Sequence, residues 1–139
     1  MENISYKFGK REKLCSRKII DLLFRKGKGF VAYPIRVQML PMKDLPEDVP
    51  SQAMFSVSKK RFKRAVKRNL LKRRMREAYR LNKHHLYNVI EQKDLQIAVA
   101  FLYISSDEMD YHNIEEGMKK AIQKLVAKIE KNETTPQSL

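Results

Sequence analysis

An α+β fold, a small single-domain sandwich with helices mainly on one face of a central sheet, is what this sequence predicts. Three observations carry that expectation. Ile35, Val37 and Met39 alternate with Arg36 and Gln38 at the period of a strand, and Phe55 and Val57 repeat it within Ala53–Ser58. The stretch from Arg64 to Lys83 has no proline or glycine and is rich in strong helix formers. Leu95–Ile104 is apolar at nearly every position, as a strand buried on both faces must be. With 139 residues and 42% hydrophobic content, the chain is long enough for one core and too short for two.

In order along the chain, residues 1–13 are polar and basic and read as loosely ordered. Ser16 is placed to cap a short helix, Arg17–Lys26, that buries Ile19, Ile20, Leu23 and Phe24, with Gly27 closing its end. The Ile35–Met39 strand follows. Three prolines between Pro41 and Pro50 make a loop, and Ala53–Ser58 returns as a second strand, which suggests an antiparallel pair. At 100° per residue the long helix divides. Leu70, Leu71, Met75, Ala78, Tyr79 and Leu81 fall in one sector, while Asn69, Lys72, Arg73, Arg76 and Arg80 fall opposite. His84–Asp94 extends that helix before a turn. After the Leu95–Ile104 strand, Asp110 caps a last helix, Tyr111–Lys131, that repeats through Ile114, Met118, Ala121, Ile122, Leu125 and Ile129. The expected order is α-β-β-α-β-α, with room for one further short strand. Residues 1–131 are expected to form one domain, and 132–139 read as a polar, disordered tail.

The charge is concentrated. The chain carries 30 Lys and Arg against 16 Asp and Glu, a net +14, and 12 of those cations lie between Lys59 and Arg80 with Glu77 as the single acid. A solvated helix interleaves signs, because like charges at i,i+4 repel. A polyanion relieves that repulsion, and nucleic acid does so with release of condensed counterions. An anionic membrane surface is the other physical option. No apolar run approaches a membrane span, and MENISYKFGKREK has neither an apolar core nor a small-residue cleavage site, so a cytoplasmic protein is expected.

A catalytic centre of its own is not expected. His84 and His85 are adjacent, so a helix points them apart, and phosphate contact or solvation suits them better than metal binding. His112 reads as a surface residue. Asp107, Glu108 and Asp110 fit a turn and a helix cap at least as well as a magnesium site. Cys15 has no base partner that would make it a nucleophile and reads as partly buried. Ser58, Lys59 and Lys60 instead end a strand where a hydroxyl, backbone N–H groups and two ammonium groups can converge on phosphate. Asn69 could bond a 2′-hydroxyl or a base edge. Phe8, Phe24, Phe30, Tyr33 and Tyr79 carry rings able to stack on bases. Core packing is the default for them, and Phe30 and Tyr33 look the most exposed.

The run from Phe55 to Arg80 resembles the signature of the bacterial ribonuclease P protein component. That family carries Val-Ser-Lys-Lys and then Ala-Val-x-Arg-Asn-Arg-x-Lys-Arg-x-x-Arg-Glu, matched here by Val57–Lys60, Ala65, Val66, Arg68, Asn69, Lys72, Arg73, Arg76 and Glu77. The departures are Leu70 in place of the triplet's second arginine, a missing glycine after Lys60, and a connection one residue longer at Arg61–Arg64. The resemblance implies a left-handed crossover, against the usual rule for parallel units. It implies a protein subunit whose long helix joins a catalytic RNA, and an RNA that uses magnesium to free the mature 5′ end of transfer RNA, with no cofactor on the protein itself. Contacts to that RNA would come from Ser58, Lys59, Lys60, Arg64, Arg68, Asn69, Lys72, Arg73, Arg76 and Arg80. The precursor's 5′ leader would lie in a cleft at Ile20, Phe24, Arg36 and Gln38. The protein would be a monomer within the complex. A basic ribosome-associated protein is the alternative, and a DNA-binding regulator is disfavoured because a strand, not a partner helix, precedes the basic helix.

Overall fold

The computed structural model describes residues 6–131 and 136–138. Its elements are a 3-10 turn at Lys10–Glu12, α1 (Arg17–Lys26), β1 (Lys28–Ala32), β2 (Ile35–Met42), β3 (Ser51–Val57), α2 (Ala65–Gln92), β4 (Gln96–Tyr103) and α3 (Tyr111–Glu130). The four strands lie in the order β1-β2-β4-β3.

One sequence expectation about the sheet needs correction. The strands at 35–42 and 51–57 are not an antiparallel pair. β4 enters between them, antiparallel to β2 and parallel to β3. The physical reason is β4 itself: Ile97–Phe101 is apolar on both faces and is buried without remainder, so it takes a central position. The further strand is β1, paired antiparallel to β2 from Lys28↔Met39 to Ala32↔Ile35 through a turn with a cis Tyr33–Pro34 peptide.

α2 and α3 pack together on one face. Leu71, Met75, Ala78, Tyr79, Leu86 and Ile90 of α2 meet Ile114, Met118, Ala121 and Leu125 of α3 over Val37, Met39, Val99 and Phe101. Leu70 and Leu81 sit half-buried at the margin. Phe8, Phe55, Tyr79 and Phe101 form an aromatic cluster in which Phe55 stacks on Phe101 at 5.5 Å and Phe8 meets Tyr79 edge-on at 5.8 Å.

α1 packs on the other face, together with Leu14 and Leu45 from the chain segments beside it. Ser16 caps it, its Oγ accepting from the Ile19 amide at 3.3 Å. Ile19, Leu22 and Leu23 pack on Leu40, Met42, Ala98 and Ala100. Phe24, expected inside, is 45% exposed. The buried side of so short a helix is taken by Leu22 and Leu23, which leaves Phe24 at its margin. Gly27 ends α1 in an extended conformation, and a Cβ there would lie 2.3 Å from the Leu23 carbonyl and 2.8 Å from that of Met39.

Before α1 the described residues, from Tyr6 on, are tied to the rest of the fold, while residues 1–5 of the stretch expected to be loose lie outside the described residues. Lys13 bridges to Ala53 of β3, the Leu14 amide donates to the Ala53 carbonyl at 2.9 Å, and Arg11 pairs with Asp48 at 2.8 Å. At the other end, Gln137 bridges to Met42: its amide donates to Pro41 and its carbonyl accepts from Lys43, both at 2.9 Å. The tail expected to be disordered therefore has residues 136–138 laid along β2, while residues 132–135 and 139 lie outside the described residues. Cys15, expected to be partly buried, is exposed.

Candidate nucleic-acid interface

α2 begins directly after the Ser58–Arg64 connection, and the structure shows how the longer turn closes. The Phe62 amide donates to the Ser58 carbonyl at 3.1 Å, and the Lys60 amide donates to Ser58 Oγ at 3.1 Å. Phe62 inserts edge-on against Tyr103 at 5.9 Å. Arg68 reaches back and donates to the carbonyls of Phe62 and Lys63 at 2.9 and 2.7 Å. One guanidinium thus staples the turn while remaining beside the helix surface.

The cations of α2 divide by partner. On the side toward α3, Lys67 donates to Glu108 at 2.6 Å, and Arg74 donates to the Met109 carbonyl at 2.7 Å and lies 3.8 Å from Glu108. The bond from Lys67 holds the Glu108 carboxyl below its ordinary range, so this acid stays ionised. Arg80 is clamped by Glu77 and also donates to the Tyr6 carbonyl at 3.0 Å. Lys83 is buried against Glu12. Lys59, Lys60, Arg64, Lys72, Arg73 and Arg76 have no acidic partner among the described residues, and all but the half-buried Lys72 are exposed. Asn69 is exposed among them. The expected RNA-facing set thus holds together at one end of the molecule, with Arg68 and Arg80 partly committed to the protein itself.

The helix dipole sharpens the point. Arg64 at the N-cap makes no side-chain cap, the first turn contains no acid, and the last turn contains no cation. Basic residues at the positive end of a helix are unfavourable, and an anion there reverses the sign of the interaction. Backbone and side chains at this end together ask for negative charge.

The expected leader cleft falls on the α1 face of the sheet. α1 is too short to cover all of that face, so one row of the sheet stays open. Val31 pairs with Arg36, Arg36 with Leu102, and Leu102 with Ser56, all at the end of the sheet where β3 runs into Ser58. Val31 and Arg36 are exposed, and Leu102 and Ser56 are half-buried. Half-buried Ile20 packs, like Leu102, against the core on this face, and Phe24 of the same helix is exposed. Gln38 takes a different part. It is buried, and its Nε2 donates to the Gly27 carbonyl at 2.9 Å, closing the end of α1. Its amide is spent on the wall of the cleft. Val31, Leu102 and Ser56 were absent from the sequence-derived set. β1 lacks the alternation that marks a strand in sequence, and the facing of β4 depends on a neighbour that the sequence does not name.

The acidic turn resolves without a metal cluster. Asp110 caps α3, accepting from the Asn113 amide at 2.9 Å, the Asp107 carbonyl accepts from the Tyr103 hydroxyl at 2.6 Å, and Glu108 serves Lys67. Among the described residues no three His, Cys, Asp or Glu side chains gather as metal ligands. No helix among them is long and apolar enough to cross a membrane.

A four-stranded α+β sandwich with a basic helix face that has no acidic partner among the described residues, except where Lys67, Arg74 and Arg80 are paired, is suited to a polyanion such as nucleic acid. The family model for ribonuclease P matches residues 8–126. The ribonuclease P protein component of Porphyromonas gingivalis is 38% identical over 125 residues, covering 90% of each chain, and that of Chlorobium phaeobacteroides is 35% identical over 102 residues, covering 68% of this chain and 70% of the other. Among solved structures, the ribonuclease P protein of Staphylococcus aureus superposes with a TM-score of 0.64 at 20% identity over 85% of this chain and 96% of that one. The Thermotoga maritima protein gives 0.63 at 24% identity over 81% and 96%. This chain belongs to the ribonuclease P protein family. Its part is that of the protein subunit of the ribonucleoprotein endonuclease, and the ribosome-associated alternative gives way to that assignment.

Proposed function

We propose that the α2 face of Lys72, Arg73 and Arg76, continued by Asn69, Arg68 and the Ser58–Lys60 turn, binds the catalytic RNA subunit, and that the cleft receives the 5′ leader of precursor transfer RNA. The observation that carries the first half is the run of exposed cations without an acidic partner among the described residues, which begins at the positive end of the α2 dipole with Arg64. Neutralised phosphates gain counterion release there, and guanidinium groups donate bidentately to phosphate oxygens.

The cleft supports the second half by its composition. An exposed Phe24 ring suits base stacking, the Arg36 guanidinium suits phosphate, and half-buried apolar side chains line the floor. Both surfaces meet at the end of the sheet where β3 passes into the turn, so one protein can hold the leader beside the RNA that cleaves it. Hydrolysis belongs to the RNA and its magnesium ions. The protein raises the effective concentration of substrate and lowers the repulsion between two polyanions, so less magnesium is needed. A cytoplasmic monomer fits this work.

The test is reconstitution. Purified protein alone should leave precursor transfer RNA intact, and the RNA subunit alone should cleave only at high magnesium. The mixture should cleave at low magnesium. No rescue by the protein under those conditions overturns the reading.

A further inference from the structure

A second basic surface lies on the far side of the sheet from the cleft, and the α2 reading does not use it. Lys120, Lys124 and Lys128 stand at successive i,i+4 positions of α3, the like-charge spacing that costs a helix stability unless an anion is present. Their place is fixed by packing. Gly117 seats α3 against the β1–β2 turn so closely that a Cβ there would lie 2.7 Å from Pro34 Cδ and 3.0 Å from the Tyr33 carbonyl. Lys124 then donates to the Val31 carbonyl at 2.8 Å, and the Lys128 ammonium lies 5.5 Å from the centre of the Phe30 ring. Lys120 is exposed and has no acidic partner among the described residues.

β1 is an edge strand, so the two faces of the sheet communicate around it. Val31 points to the cleft side and is 41% exposed, Phe30 points to the α3 side, and the Tyr33 ring stands 60% exposed at the corner between them. An ammonium that spends one N–H on a carbonyl keeps two for phosphate.

We propose that the β1 edge, Tyr33 and the Lys120–Lys124–Lys128 stripe form a track for the distal nucleotides of the single-stranded leader, after it leaves the cleft. The partner is single-stranded RNA because the track is one row of ammonium groups beside the exposed Tyr33 ring and the half-buried Phe30 ring, which suits a single phosphate backbone with an unpaired base to stack. The inference rests on the leader occupying the cleft, and its test separates the two.

The experiment measures affinity of the reconstituted holoenzyme for precursors with a leader just filling the cleft and with one extended further, as a function of salt. The unsubstituted protein should bind the extended leader more tightly, with a steeper salt dependence. The triple variant Lys120→Gln, Lys124→Gln, Lys128→Gln should keep its short-leader affinity and lose that gain, its extended-leader salt slope falling by about two. Lys120→Glu alone, at a side chain that supports no packing, should lose part of the gain. A triple variant that keeps the full gain overturns the track, as does one that merely melts earlier or aggregates, since lysines that only shield a sheet edge would behave so. Equal affinity for both leaders in the unsubstituted protein also overturns it. If Phe24→Ala fails to weaken short-leader binding, the cleft reading falls instead.

Discussion

Lys83 and Glu12 form an ion pair across 71 positions of sequence, with the Lys83 side chain 3% exposed and Tyr87 donating its hydroxyl to the same carboxylate at 2.6 Å. Lys83 also donates to the Lys7 carbonyl and lies 4.8 Å from the Tyr87 ring. This cluster ties the segment before α1 to the second half of α2, and Phe8 follows it into the aromatic core. Removing one partner strands the other away from water. Lys83→Met should therefore destabilise by about 3 kcal/mol, near the lower end for a broken buried pair because Glu12 keeps some contact with solvent. Chemical denaturation measures the loss.

The same pair gives an acid dependence. Burial raises the Glu12 carboxyl, but the bonds from Lys83, Tyr87 and the Gly9 amide outweigh it, and the group ends below its ordinary value of 4.5. A carboxyl lowered by folding adds stability that is complete above its unfolded value and is lost as pH falls through the folded one. The melting temperature of the unsubstituted protein should drop across that acid range. Glu12→Gln should begin lower at neutral pH and show a shallower drop, and melting curves against pH distinguish the two.

Phe24 separates binding from folding. Its ring is 45% exposed, so Phe24→Ala should leave the melting temperature nearly unchanged. If the ring stacks on a leader base, precursor affinity should fall by about 1–3 kcal/mol, while mature transfer RNA is bound as before. Equilibrium binding of both RNAs is the check.

Gly27 is required by proximity. Its backbone is extended and open to any residue, yet a Cβ would meet two carbonyl oxygens inside contact distance. Gly27→Ala should cost about 1–3 kcal/mol by forcing α1 away from β2. Because α1 forms one wall of the cleft, leader affinity should fall with it. Denaturation and precursor binding should shift together in this variant.

Local signals were well placed to find the caps and the long helices. Ser16 and Asp110 act through bonds within three residues, and the apolar repeat of α3 is uninterrupted. Strand adjacency was less legible, because β4 comes to lie beside β3 only after α2 has crossed the sheet. β1 escaped because Lys28-Gly29-Phe30 has no alternation, and a glycine weakens any strand reading. In the basic block, Arg73 and Arg80 look alike in sequence. Only the fold shows that Arg80 is clamped by Glu77 and the Tyr6 carbonyl, while Arg73 faces solvent with no acidic partner among the described residues. The resemblance put Gln38 in the cleft, and the fold turns its amide to the end of α1.

Arg73 and Arg76, exposed on α2 with no acidic partner among the described residues, are placed to meet phosphate. The most direct measurement is the salt dependence of binding to the isolated RNA subunit by the unsubstituted protein and by Arg73→Ala, Arg76→Ala. Both side chains are exposed, so the double variant should fold normally. Its slope of log K against log salt should be shallower by about two, one for each lost contact. A slope equal to that of the unsubstituted protein would contradict the account.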